Sequence, residues 1–114
     1  MISEFETGWV AHCLQRLYHA AYRTPKFAVD YLKMKPSDYF HRNFGITFED
    51  DEAGVLTRHL IGVDNLLWGN DYPHHEGSFP FSAEWIEKQF DGVPANEIEQ
   101  ICRGNAAEIF GITV

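Results

Sequence analysis

The chain has 114 residues, 45% of them hydrophobic and 15% aromatic. That is enough for one small domain with a real core, and it excludes global disorder. A formal net charge of -8 argues against nucleic acid or an anionic membrane as a partner.

The opening "MISEF" reads as the end of a strand, with Met1, Ile2 and Phe5 as strand residues and Glu4 where the strand opens. Thr7-Gly8 punctuates. From Trp9 to Arg23, Val10, Leu14, Leu17 and Ala21 recur at helical spacing, widened by Cys13 and Tyr18. Pro25 ends that helix. "KMKPSD" reads as a loop in which Pro36 precedes a capping-type Ser37. A second strand is expected near Asn43 to Thr47. "EDDEAGVLTRHLIG" reads as a helix with its acids at the favourable N-terminal end and Gly62 as its stop.

"NLLWGND" is the next strand. A loop from Pro73 to Pro80 leads to a helix that Ser82 would cap, with Glu84 near the capping-box position. After Pro94, Ile98, Ile101, Cys102 and Ile109 lie on one helical side, with a break expected at Gly104-Asn105. The order β, α, β, α, β, α, α implies an α/β fold with parallel strands joined by helical crossovers. No glycine-rich phosphate loop follows any strand.

In such folds chemistry sits at the carboxyl ends of the strands. The third strand delivers Asp71, then His74 and His75. A carboxylate there can ligate a divalent metal and accept a proton from its bound water. It equally suits a cap of the turn or of the following helix. Adjacent histidines do not easily share one site, so at least one of them reads as a rim imidazole. Glu4 suits an N-cap of the first helix as well as a site role. Glu49 to Glu52 read as a helix-start charge cluster whose members point in different directions. His12, His19, His41 and His59 lack ligand spacing and read as surface or half-buried residues. Cys13 and Cys102 have no C-x-x-C neighbour, and each reads as a small apolar residue on a helix face. A reducing, cytoplasmic compartment fits them best. No apolar run approaches the ~20 residues of a membrane span, and the N-terminus lacks signal-peptide blocks.

"WGNDYPHHEGSFPFS", Trp68 to Ser82, resembles the amidohydrolase-related proteins of the aminocarboxymuconate-semialdehyde decarboxylase type, whose last barrel strand ends in W-G-x-D-x-P-H. "SEFETGW" is similar to the family's sixth-strand end and "KPSDYFHRNFGITFEDD" to its seventh strand with lead-in. "GNAAEIFGI" is similar to its closing helix. The resemblance implies a metal-dependent (β/α)8 TIM barrel with one divalent ion, commonly zinc. It makes Asp71 the last-strand metal ligand and proton shuttle. In the intact site, Glu4 and His74 are expected as rim or substrate-contact groups.

A full barrel needs ~250 residues, so residues 1–114 are expected to form a single partial domain, the last three strand–helix units of an incomplete barrel. The family's H-x-H pair is absent. Asp71 is one ligand where a catalytic zinc takes about three, so no metal is expected for the isolated chain. The expected partners are a small-molecule substrate and the missing N-terminal barrel portion, or a second copy through self-association. The expected reaction is hydrolysis or non-oxidative decarboxylation of a small carboxylate, ester or lactone. A non-catalytic binding or assembly module, a pseudoenzyme remnant, is the alternative.

Overall fold

A computed structural model describes residues 1–26 and 31–113. The expected first strand is reduced to one residue. Ile2 makes an isolated parallel bridge to Ile46, donating its N–H to the Gly45 carbonyl (2.8 Å) and accepting from the Thr47 N–H (2.9 Å). The backbone then leaves the sheet, with Glu4 and Glu6 at φ 60° and 51°, a left-handed conformation that no strand accommodates.

Helix α1, Gly8–Arg23, buries Val10 and Leu14. Leu17 remains 46% exposed, so the apolar stripe reaches the core only through its first turns. The strand expected from Asn43 starts later, because helix α2 occupies Pro36–Asn43. Pro36 fills the first helical position, where its missing N–H costs nothing. Asp38, not Ser37, takes the Lys35 N–H (3.2 Å). Phe40 turns into the core. Strand β1 is Ile46–Phe48.

The single helix expected after the acids is two short ones, α3 (Glu52–Leu56) and α4 (Arg58–Ile61). They break at Thr57, whose hydroxyl bonds back to the Ala53 carbonyl (2.6 Å). Gly62, at φ 113°, stops α4 as expected. Strand β2, Leu66–Trp68, pairs in parallel with β1, Ile46 opposite Leu66 and Phe48 opposite Trp68.

Helix α5, Ser82–Gln89, is preceded by Phe81 at the N-cap. Ser82 lies inside the helix and does not cap it. Its hydroxyl instead meets that of buried Ser78 (3.2 Å). Helix α6, Ala95–Glu99, runs through a π-helical turn, Gln100–Gly104, directly into α7, Asn105–Phe110. The break expected at Gly104-Asn105 does not occur. Asn105 is buried and its amide donates to the Val63 and Leu66 carbonyls (2.7 and 2.8 Å), so the helix must continue for that side chain to reach β2. Ile109 points away from the core at 47% exposure, contrary to its expected side. The helix ends at Gly111 with φ 65°.

The core joins Val10 and Leu14 of α1 to Phe40, to Ile46 and Phe48 of β1, to Leu66 of β2 and to Ile101. A further polar tie crosses it. Asp51, 8% exposed, accepts at Oδ2 from the Thr7 N–H (2.5 Å), the Gly8 N–H (2.6 Å) and the Thr7 hydroxyl (2.9 Å), and at Oδ1 from the Gly54 N–H (2.8 Å). The carboxylate thereby satisfies free donors at the starts of both α1 and α3. Burial pushes its pKa up, but the bonds from Gly54, Thr7 and Gly8 outweigh that and hold it below the ordinary 3.8. A lowered pKa stabilises the fold above the ordinary value. That stabilisation is lost as pH falls through the folded value. Asp51→Asn should therefore cost about 2 kcal/mol near neutrality and flatten the acid limb of stability below about pH 4. Denaturant unfolding at about pH 7 and about pH 3 checks this, and an equal loss at both would rule out the charge as its source.

Candidate functional site

The carboxyl ends of Ile2, β1 and β2 open into one cleft of about 480 Å3. Beyond Trp68 the chain continues through Gly69 and Asn70 to Asp71, which sits at φ 53°, a conformation that aspartate tolerates better than most residues. Trp68 faces the other way. Its body packs against the core and its Nε1–H donates to the Glu49 carbonyl (3.0 Å). Above Gly69 the space is open, since a Cβ there would meet nothing within 4 Å.

The loop after Asp71 folds back on itself. The His74 N–H donates to the Asp71 carbonyl (2.9 Å) and the Ser78 N–H to the Asn70 carbonyl (3.2 Å). Gly77 is required at the closure, because a Cβ would come within 2.7 Å of the Asn70 carbonyl oxygen. The fold-back brings His74 Nδ1 to 2.9 Å from Asp71 Oδ2. Glu4 arrives from the opposite side, on the turn after Ile2. Ligand atoms of Glu4, Asp71 and His74 all lie within 4.8 Å of one another. The structure thus brings together the three residues named from the sequence as site candidates. Glu4 does not cap α1, where Thr7 holds the N-cap position. His75 points away, its side chain 92% exposed.

The cleft is strongly acidic. Among the described residues, its lining holds the carboxylates of Glu4, Glu6, Glu49, Asp71 and Glu76 with the imidazole of His74. Burial, and then the neighbouring Asp71 charge, push the Glu49 carboxyl above its ordinary pKa, although hydrogen bonding from Ser78 pulls the other way. Burial likewise raises Glu6, whose Oε2 lies 3.3 Å from the Glu49 N–H that it accepts. The hydrogen bond to Asp71, then its charge, raises His74 above 6.5. Two carboxylate oxygens and an imidazole nitrogen, set among further carboxylates, make a donor set for a divalent cation.

Sequence reasoning missed Glu6 and Glu49 as cleft residues. Helix α3 begins at Glu52 with Asp51 as its N-cap, so those two acids stand at the helix start as expected, whereas Glu49 and Asp50 are strand-end residues. The signal that could have shown this is Asp51 three residues before Gly54, an N-cap placed ahead of the apolar Val55. The remaining histidines are exposed as expected. Cys13 and Cys102 are free and half-buried.

The family described as Amidohydrolase matches residues 9–112. Among solved structures, 5-carboxyvanillate decarboxylase from Sphingomonas paucimobilis matches with a TM-score of 0.68 and 30% identity over 92% of this chain and 31% of that one. An amidohydrolase from Mycobacterium avium subsp. paratuberculosis K-10 matches with a TM-score of 0.72 and 27% identity over 93% of this chain and 26% of that one. The chain therefore spans less than a third of either structure. No curated protein matches it.

A cation in this cleft must displace the proton that Asp71 helps His74 to keep. With three ligand atoms together where the sequence offered one, weak zinc binding by the chain alone becomes the expected outcome, and that affinity should fall as pH drops through the raised range of His74. Asp71→Asn, His74→Asn and Glu4→Gln should each weaken it by about tenfold or more, and His75→Asn should leave it unchanged. Zinc titration by calorimetry checks this, and a uniform response to all four changes would mean that the metal sits elsewhere.

Proposed function

The chain belongs to the amidohydrolase family, and from that premise we propose that it forms the last three strand–helix units of a metal-dependent (β/α)8 barrel. It would supply one wall of a site for hydrolysis or non-oxidative decarboxylation of a small carboxylate, ester or lactone. The observation that carries this reading is the meeting of Asp71, Glu4 and His74 at the carboxyl ends of parallel strands, where barrel enzymes keep their chemistry. Likeness to 5-carboxyvanillate decarboxylase supports aromatic acids as one substrate class.

The donor set fits a divalent ion such as zinc, with Asp71 as its principal holder and Glu4 and His74 beside it. When bound, such an ion polarises a carbonyl or carboxylate and acidifies water. Asp71 is placed to accept a proton at its carboxylate. In hydrolysis that proton comes from the attacking water and goes to the leaving group. In decarboxylation Asp71 would take its proton from solvent water and deliver it to the carbon that the carboxylate leaves as carbon dioxide. The Nδ1 of His74, 2.9 Å from Asp71 Oδ2, orients that carboxylate, and Glu4 on the rim contacts substrate or metal. The acidity of this wall leaves the recognition of an anionic substrate to the metal and to residues outside this chain.

The sheet itself points to the partner. Among the described residues, β2 pairs on one side only and β1 receives a single residue on its other side. Open edges of this kind recruit further strands. The partner is the remaining barrel portion, with self-association as the competing outcome when the chain is alone. No helix among the described residues is long and apolar enough to cross a membrane, and the reading is of a cytoplasmic enzyme. The same open edges favour the second reading, an assembly module without catalysis.

Two outcomes test this. The chain alone should associate and turn over no ester or lactone, so a compact monomer at high concentration by light scattering would count against the partial barrel. In the complete barrel, Asp71→Asn should keep the circular dichroism of the fold and lose most activity and metal, while His75→Asn should do much less. Near-normal turnover in the Asp71 variant would reassign the chemistry and favour the assembly reading.

A further inference from the structure

We infer that Asp51 is a positioning residue for the cation site: by clamping the start of α1 it holds Glu4 beside Asp71. The inference rests on the reading of Glu4, Asp71 and His74 as a cation site. Asp51 does not line the cleft, so any effect it has there must pass through the backbone it holds.

The Glu4 turn hangs between two anchors. On one side, Ile2 is pinned to β1 by its two backbone hydrogen bonds with Gly45 and Thr47. On the other, the Thr7 and Gly8 N–H groups and the Thr7 hydroxyl converge on Asp51 Oδ2. Residues 3–6 bridge the gap, and two of them, Glu4 and Glu6, adopt left-handed backbone. Glutamate has no preference for that conformation, so it persists only where both ends are held. With the second anchor released, residues 3–6 relax toward extended backbone and Glu4 swings away from Asp71.

Other contacts of the turn do not replace this anchor. Trp9 Nε1–H donates to the Phe5 and Glu6 carbonyls (3.0 and 3.1 Å), which ties the turn to α1 but leaves both free to shift together against the sheet. The Glu6 contact to the Glu49 N–H is long at 3.3 Å. Among the described residues, Asp51 ties the turn and α1 to the segment that follows β1 with three hydrogen bonds, where Glu6 adds one long contact. Gly54 shows how closely the parts fit, because a Cβ there would overlap the Thr7 hydroxyl and the Asp51 carboxylate. An asparagine at position 51 cannot reproduce the clamp, since its amide nitrogen would face donors at one of the two oxygen positions.

The test is zinc titration of the 114-residue chain in a double-mutant cycle. Asp51→Asn should weaken zinc by about tenfold or more, the size typical of contacts that orient a ligand. Thr7→Val, which removes one hydroxyl bond and keeps the shape, should weaken it severalfold. In a Glu4→Gln background neither change should weaken it further. A merely structural role would lower affinity in both backgrounds alike, and that result would overturn the inference. So would unchanged affinity in Asp51→Asn and Thr7→Val when Glu4→Gln weakens it. Should Asp51→Asn fail to fold, the Thr7→Val cycle decides alone. If Glu4→Gln itself leaves zinc binding intact, Glu4 is no part of the cation site, and the inference falls with that part of the reading while Asp71 and His74 are judged by their own variants.

Discussion

The Asp51 carboxylate gathers four donors from two helix starts that lie more than forty residues apart in sequence. A buried charge is expensive unless it is fully bonded. Here the bonds more than offset burial, as the lowered pKa shows. The arrangement works because helix N-termini present free N–H groups that favour an anion. It also needs Gly54, whose lack of a side chain lets Thr7 and Asp51 close on α3. Val10, Leu14, Val55 and Phe48 then share one core, with the start of α1 fixed against the start of α3.

Backbone strain collects where the functional groups lie. The described non-glycine residues with positive φ are Glu4, Glu6 and Asp71, and all three line the acidic cleft. Each left-handed residue costs on the order of 1 kcal/mol or more, which the surrounding contacts must offset. Asp51 and the Ile2 bridge constrain the first turn. The fold-back from Asp71 to Ser78, closed by Gly77, constrains the second. Such turns allow strands to end abruptly and direct side chains across the sheet edge, where an extended continuation would carry them into solvent.

The same placement produces the electrostatics of the cleft. Burial first, and neighbouring carboxylate charge after it, raise the Glu6 and Glu49 pKa, and the hydrogen bond and charge of Asp71 raise that of the His74 imidazole. A divalent cation would relieve this repulsion, and the family to which the chain belongs is one in which such an ion is expected. The wall formed by these strand ends is therefore strongly acidic. Its shape depends on strand ends and its charge on which residues the turns bring forward.

Sequence alone determined the elements whose signal is local. The periodic apolar spacing of α1, the parallel alternation of strands and helices, the stop at Gly62 and the strand Leu66–Trp68 running into Asp71 were all legible, because each depends on neighbours within a turn or two. The motif around Asp71 also directed attention to that strand end, where a carboxylate suits a ligand and a cap equally. Tertiary structure decided the rest. Where the strand expected near Asn43 would begin depended on the preceding helix, which runs to Asn43 and turns Phe40 into the core. Whether α6 stopped at Gly104 depended on Asn105 reaching the carbonyls of Val63 and Leu66. The meeting of Glu4 with Asp71, and the role of Asp51 rather than its acidic neighbours, depended on contacts spanning forty or more residues. No local pattern encodes such contacts, because they exist only once the strand ends have been brought side by side.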